Sequence, residues 1–320
     1  MAQTVPPLAQ GDMIVLGGDG RQNAVCIGLA ESGKQVTAVG LGTDIPTHPA
    51  IRWCESVDKA LERSFASHRD VPRVLILPLP STRDGHTVWC PRDPACLVTL
   101  AHIAELMERY PNLRLFGGCL PTTLTDALSA AATDRCTDYY LDEALQVRNA
   151  HLTAEAALML IMEQTDRAVR DLRVGIIGYG RIGHMLAHIL TALGASVTVC
   201  ARRSESRAWA ACEGCRTLHV TSLADLCHGF DVVCNTVPSL VLDRDVLNAV
   251  DADTLILDLA SGATPEVIRE CAESRGVRYV RAPSLPGRYA PTEAGDIIAD
   301  AILTRWHDGA NTQEKGGQGV

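Results

Sequence analysis

The stretch Leu172-Arg173-Val174-Gly175-Ile176-Ile177-Gly178-Tyr179-Gly180-Arg181-Ile182-Gly183 decides the fold, together with the helical segment His184 to Leu193 behind it. A β-branched apolar run, a glycine turn and an amphipathic helix in that order are what a dinucleotide-binding βαβ unit requires. Gly178 permits the tight turn, Gly180 leaves room for a pyrophosphate against the backbone, and Gly183 lets the helix pack on its strand. The phosphate is expected on the helix N-terminus, where unpaired N–H groups and the helix dipole favour an anion. A second strand, Ala195 to Cys200, follows Gly194 and completes the unit.

Downstream, strands are predicted at Thr217 to Val220, Phe230 to Asn235, Thr254 to Asp258 and Arg278 to Arg281, with helices from Ser204 and at Leu223 to Cys227. That is the element order of a complete six-stranded nucleotide domain. Upstream, the strand Met13 to Gly17 runs into Gly18-Asp19-Gly20-Arg21-Gln22 and a helix to Ser32, with the strand Gln35 to Val39 after Gly33. This turn lacks the third glycine of the fingerprint and presents side chains, Asp19 and Arg21, at the carboxyl end of its strand, where open α/β sheets place ligands. A helix Val57 to Phe65, a strand Arg73 to Leu77, a helix Cys96 to Glu108, a strand Leu113 to Phe116 and a helix Thr122 to Ala132 continue the alternation. Strands alternating with helices imply doubly wound parallel sheets.

The fold class is therefore α/β, with two Rossmann-like doubly wound parallel-sheet domains joined by crossing helices. The expected division is a lead over 1–11 and an α/β substrate and catalytic domain over 12–145. An interdomain helix over 146–168 follows, then the dinucleotide domain over 169–285. A return segment and helix over 286–306 and a tail over 307–320 close the chain. The polar, glycine-rich tail and the lead are expected to be disordered.

At 320 residues the chain has length for two ordinary cores. A net charge of −9 and the absence of a basic run argue against a nucleic-acid surface. No apolar run is long enough to span a membrane, and residues 1–10 lack the pattern of a signal peptide, so a cytoplasmic protein is expected. The twelve cysteines are scattered through apolar segments and read as reduced buried thiols rather than a disulfide framework. Cys212-Glu213-Gly214-Cys215 has no second pair or neighbouring histidines and reads as a surface turn rather than a zinc site; no metal is expected.

An NAD site carries an acidic residue at the end of its second strand, about twenty residues past the first glycine, to accept the ribose 2′-hydroxyl. Here that place reads Ala201-Arg202-Arg203-Ser204, with no carboxylate until Glu205. Two guanidiniums and a hydroxyl suit a 2′-phosphate, through forked charge-assisted bonds, and point to NADP. The expected cofactor contacts are Gly178, Tyr179, Gly180, Arg181, Ile182, Gly183, Ala201, Arg202, Arg203, Ser204, Asn235, Thr236, Val237, Pro238, Ala260 and Ser261.

The chemistry is expected to be hydride transfer, with the substrate in the cleft between the domains. The machinery of 2-hydroxyacid dehydrogenases is missing: no arginine follows the strand Thr254 to Asp258, and the late loop Ala282 to Gly287 has no histidine. Loops Pro78 to Gly85 and Gly117 to Thr123 carry groups that suit an anionic substrate, with helix capping as the alternative for Thr122 and Thr123.

Several stretches together carry a resemblance: Gly17-Gly18-Asp19-Gly20-Arg21-Gln22, Asn149 with Thr153-Ala154-Glu155, Gly178 to Gly183, Ala201-Arg202-Arg203, Asn235-Thr236-Val237-Pro238-Ser239, Asp258-Leu259-Ala260-Ser261, and Leu285-Pro286-Gly287 with Ala290-Pro291 and Ala294-Gly295. In this order they resemble the dipicolinate synthase A-chain family, sporulation enzymes of endospore-forming Firmicutes. The loop Arg83 to Asp93, with His86, Trp89 and Cys90, departs from that pattern.

The resemblance implies NADP-dependent oxidation of dihydrodipicolinate to pyridine-2,6-dicarboxylate. It also implies a separately encoded, flavoprotein-like partner, the dipicolinate synthase B chain, and a cytoplasmic location in the mother cell; a homo-oligomer is expected. Arg21, Ser81, Thr82, Arg83 and Arg288 are the candidate clamps for the two carboxylates. Asp19 or Glu155 is the candidate proton acceptor or arginine orienter. Forming an aromatic ring is downhill and asks mainly for alignment, so a strong base is not required. Two other readings stand beside this one: a non-catalytic NADP(H)-binding component of the synthase, and a Rossmann reductase of another small carboxylate.

Overall fold

The computed structural model describes residues 12–67, 73–222, 228–238, 242–260 and 266–316. The chain divides into two compact units, one comprising 1–146 with 290–320 and the other 147–289. The boundary falls inside the long helix α6 (Glu143–Gln164), and the last helix, α12 (Pro291–Gly316), returns to the first unit.

Each unit is built on a six-stranded parallel sheet. In the first, β1 (Asp12–Leu16), β2 (Gln35–Val39), β3 (Ile51–Trp53), β4 (Arg73–Ile76), β5 (Leu113–Gly117) and β6 (Cys136–Asp138) take the order β3-β2-β1-β4-β5-β6. The second repeats that order with β7 (Arg173–Ile177), β8 (Ser196–Ala201), β9 (Arg216–His219), β10 (Val232–Asn235), β11 (Leu255–Asp258) and β12 (Arg278–Arg281). Strand order reverses between β1 and β4, and again between β7 and β10, so a crevice opens at the carboxyl edge at each of these places.

The central strands read as unbroken apolar runs because both faces are covered by helices. Met13 to Leu16 of β1 and Val174 to Ile177 of β7 are all buried. On one face of the second sheet, Leu186 and Leu190 of α7 (Arg181–Ala192) pack with Ala154, Ala157 and Ile161 of α6 against Val174 and Ile176. In the first unit, α12 lies on α1 (Arg21–Glu31). Gly295 makes that approach possible, since a Cβ there would lie 2.3 Å from the Arg21 carbonyl oxygen.

Several local expectations are corrected. The edge strands β3 and β6 were not predicted, because three residues carry too little alternation to read. The helix expected from Cys96 begins only at Leu100, as α3 (Leu100–Arg109), where the Thr99 hydroxyl accepts from His102 N at 3.1 Å. The helix expected over Thr122 to Ala132 is two single turns, α4 (Thr122–Thr125) and α5 (Ala130–Thr133), because Ser129 caps a new start on Ala132 N. The late loop contains a short helix, α11 (Leu285–Tyr289), and α12 continues past Trp306 to Gly316, extension being cheap once a helix is nucleated. The segment Leu223 to Cys227 and the lead over 1–11 lie outside the described residues.

Candidate functional site

In the second unit the parallel register sets Ile177 beside both Cys200 and Asn235, so the turns after β7, β8 and β10 meet at one edge. Gly178 has φ +95, a backbone few side-chain-bearing residues adopt, and a Cβ there would lie 2.6 Å from both Thr236 Oγ1 and Val237 Cγ1. Gly183 faces Gly178 closely enough that a Cβ would meet its carbonyl oxygen at 2.3 Å. Gly180 has nothing within 4 Å of where its Cβ would be. It is also the N-cap of α7 and, as a glycine, puts no side chain over the helix start. Open space at a positive helix end is what a pyrophosphate needs, so these residues fit a dinucleotide.

Thr236 and Val237 wall this turn, and Thr236 Oγ1 donates to Ile177 O at 2.8 Å. Asn235 is 5% exposed and braces the wall. Its Nδ2 donates to Asp258 Oδ1 at 2.9 Å and to Val237 O at 3.2 Å, and its Oδ1 accepts from Val237 N. Tyr279 Oη also donates to the buried Asp258 carboxylate at 2.7 Å, and Ala260 N does so at 3.3 Å. Asp258 belongs to a stretch that carries the resemblance but has no role assigned from sequence, and Tyr279 has none either, since a tyrosine on the edge strand β12 carries no motif. Pro238 is exposed beside them, and Ser261 lies outside the described residues.

At the end of β8, Ala201 is buried while Arg202, Arg203 and Ser204 are exposed. Sequence reasoning missed Arg207, one helical turn on in α8 (Ser204–Cys212). Its Nη1 donates to Ala201 O at 2.9 Å and to Arg202 O at 2.7 Å, which holds the strand end in place. Tyr179 in the glycine turn is tied to the same region, donating to Glu213 Oε2 at 2.7 Å, while His184 Nε2 lies 2.9 Å from Glu213 Oε1. Burial, then the Glu213 carboxylate, pushes the Tyr179 hydroxyl well above its usual range, so it stays a proton donor to that carboxylate. Cys212 ends α8 and is exposed, while Cys215, past the turn, is buried in the core, so the stretch is only in part the surface turn expected. No group of three or more His, Cys, Asp or Glu side chains placed to hold a metal occurs among the described residues.

In the first unit the turn after β1 is filled by its own charges. Arg21 Nε donates to Asp19 Oδ1 at 2.8 Å and Nη2 to Oδ2 at 3.0 Å, while Nη2 also donates to Leu79 O. Asp19 further accepts from Arg21 N at 3.1 Å. Asp19 and Arg21 thus act on each other, with Asp19 as the arginine orienter of the two roles expected. Tyr139, fully buried, anchors the neighbouring strand end by donating to Leu77 O at 3.0 Å.

The loops after β4 and β5 come together. Ser81 N and Oγ both donate to Gly118 O, at 2.7 and 2.9 Å, Thr123 Oγ1 donates to Gly85 O at 3.1 Å, and Gly18 N to Trp89 O at 2.7 Å. Ser81 is completely buried and its proton is spent, so the expected substrate contact is instead a strut between loops. Thr82 Oγ1 donates to Asp84 Oδ1, and Asp84 also accepts from His86 N, Thr87 N and Thr87 Oγ1. These bonds, that from the Thr87 hydroxyl foremost, hold the Asp84 carboxyl well below its ordinary range. The loop presents Arg83, whose guanidinium lies 4.3 Å from the centre of the Trp89 ring.

Glu155, in the second unit, is exposed on α6 and pairs with His151 at 3.2 Å. Arg288 is exposed on α11, its guanidinium 5.3 Å from the centre of the Tyr289 ring.

Residues 12–137 match the family model of the N-terminal domain of the dipicolinate synthase A chain. Residues 146–264 match that of the D-isomer specific 2-hydroxyacid dehydrogenase NAD-binding domain. The crystal structure of the dipicolinate synthase A chain from Bacillus halodurans is similar with a TM-score of 0.80 and 26% identity, over 92% of this chain and 97% of that one. The A chain from Bacillus subtilis is also similar, with a TM-score of 0.78 and 27% identity over 93% of this chain and 97% of that one, so nearly the whole chain resembles dipicolinate synthase A chains. The dipicolinate synthase A chain of Bacillus subtilis (strain 168) is 33% identical over 199 residues, 61% of this chain and 66% of that relative, just short of two thirds of its length. By the match over residues 146–264, the second unit is a nicotinamide-dinucleotide-binding domain. No described helix is long and apolar enough to cross a membrane.

Proposed function

We propose that this chain is the oxidoreductase component of a dipicolinate synthase, oxidising dihydrodipicolinate to dipicolinate with NADP, alongside a B chain, in the cytoplasm of a sporulating mother cell. The observation that carries this reading is the likeness of almost the whole chain, both units included, to dipicolinate synthase A chains. NADP rather than NAD is supported by the exposed Arg202, Arg203 and Ser204 at the end of β8, where no carboxylate precedes Glu205.

Bound at Gly178 to Gly183, the dinucleotide supplies the hydride acceptor. The protein's own residues do the rest. The first-turn amides of α7 hold the pyrophosphate, Arg202 and Arg203 hold the 2′-phosphate, and Thr236 and Val237 keep the turn in shape. In the first unit Arg83, its guanidinium 4.3 Å from the centre of the Trp89 ring, is the candidate clamp for one substrate carboxylate. Thr82 stands beside it, and Arg288 is the further candidate. Asp19 holds Arg21 in place. Loss of one hydride and one proton makes the ring aromatic, so alignment and charge neutralisation carry most of the work.

The test is to incubate the purified chain with NADP+ and enzymatically generated dihydrodipicolinate, with and without the B chain, and to follow ultraviolet absorbance of the aromatic product together with NADPH. The reading expects both to rise together. Aromatic product at the uncatalysed rate in both mixtures, with tight NADP+ binding, would leave a non-catalytic binding component in its place.

A further inference from the structure

The loop that departs from the family pattern holds two cysteines, Cys90-Pro91-Arg92-Asp93-Pro94-Ala95-Cys96, and the fold turns them toward each other. Asp93 N donates to Cys90 O at 3.3 Å and Cys96 N to Asp93 O at 3.0 Å, so two successive turns fold the segment back on itself. Both sulfurs converge on Gly40 at the end of β2. A Cβ at Gly40 would lie 2.6 Å from Cys96 Sγ and 3.6 Å from Cys90 Sγ. Cys90 Sγ also abuts Gly17 at the end of β1, where a Cβ would lie 2.5 Å away. Both residues are half-buried, and Leu97 next to Cys96 is 80% exposed, so reagents in solution have a path to the pair.

We propose that Cys90 and Cys96 form an oxidisable dithiol site, which small-molecule disulfides convert to an intramolecular disulfide that staples the loop at the carboxyl edge of the first sheet. Bonding to Cys90 lowers the Cys96 thiol from its ordinary range, whereas the same contact, then burial, raises Cys90. Cys96, next to the exposed Leu97, is assigned as the attacking sulfur, and Cys90, packed between Gly17 and Gly40, as the resolving one. The Cys96 thiolate attacks one sulfur of the disulfide RSSR, the S–S bond breaks and one thiolate RS⁻ leaves. Cys90 then loses its proton, attacks Cys96 Sγ and expels the second RS⁻. In sum, RSSR and two protein thiols give one protein disulfide and two RSH.

The staple joins the substrate-side edge at its base: Trp89, adjacent to Cys90, accepts from Gly18 N and lies under the Arg83 guanidinium. Among the described residues the other cysteines do not share this placement. Cys119 is exposed, but burial of its sulfur and then Asp138 push its thiol up to about 11.

The test uses the native full chain, oxidised glutathione as the probe, alkylation of the remaining thiols and tryptic mapping. Trypsin cuts after Arg92, between the two cysteines, so the disulfide appears as peptide Asp84 to Arg92 joined to peptide Asp93 to Arg109. The proposal expects that joined pair, its loss on reduction, and a fall of two in titratable thiols per chain. The Cys90→Ser variant should instead accumulate glutathione on Cys96, having no resolving sulfur. Glutathione on Cys119 or Cys212 with Cys90 and Cys96 left free, or no reaction of this pair until the chain is unfolded, would overturn it.

Discussion

The two units share a strand order and differ in what fills the first turn. In the second unit the turn after β7 is emptied: Gly180 faces open space at the start of α7. In the first unit the turn after β1 is occupied by the Asp19 to Arg21 ion pair, and the space over Gly18 is taken by Gln22, whose Cγ would lie 2.5 Å from a Cβ there. One topology thus offers two different edges, one shaped for a phosphate and one pre-charged by its own side chains. Topology places a site at the carboxyl edge, and the side chains of the turn decide what the site accepts.

The largest expected effect lies in the filled turn. Asp19→Ala removes the partner of an arginine whose side chain is 6% exposed, and should cost about 2–4 kcal/mol in urea denaturation, below the full cost of breaking a buried pair because Asp19 is itself 22% exposed. The double variant Asp19→Asn, Arg21→Met should recover part of that loss, since no charge is then left unpaired. Equal destabilisation of both variants would mean that the pair is not what holds the turn.

Next comes Gly183→Ala in the emptied turn. Its methyl meets the Gly178 carbonyl oxygen, so we expect about 1–3 kcal/mol of destabilisation from overpacking, with loss of dinucleotide binding in calorimetry. Arg202→Ala with Arg203→Ala should leave stability within about 0.5 kcal/mol, as exposed substitutions do. NADP+ affinity should fall about 10- to 100-fold with NAD+ affinity little changed, the scale of charge-assisted bonds. The smallest structural effect belongs to Gly180→Ala, where a methyl enters open space: denaturation should be unchanged within about 0.5 kcal/mol while NADP+ binds more weakly. If Gly180→Ala destabilised the protein as Gly183→Ala does, the turn would be packed rather than open.

The emptied turn was far more legible in the sequence than the filled one. Glycine spacing encodes backbone geometry locally, so the roles of Gly178, Gly180 and Gly183 followed from one stretch and match the distances found. The substrate-side loops depend on contacts between residues far apart in the chain, and spacing says nothing about those. Ser81 looked like an exposed ligand group because it follows a strand, yet Gly118, distant in sequence, takes its proton and buries it. Glu155 fell on a plausible helix, but it is exposed and paired with His151. Asn235 also braces Asp258, a contact its motif does not announce.

The most direct measurement is an isothermal titration of the full chain with NADP+ and, separately, with NAD+. The account predicts one NADP+ bound per chain, more tightly than NAD+, with the stoichiometry lost in Gly183→Ala and kept in Asp19→Asn, Arg21→Met. Two equivalents bound per chain, or tighter binding of NAD+, would contradict it.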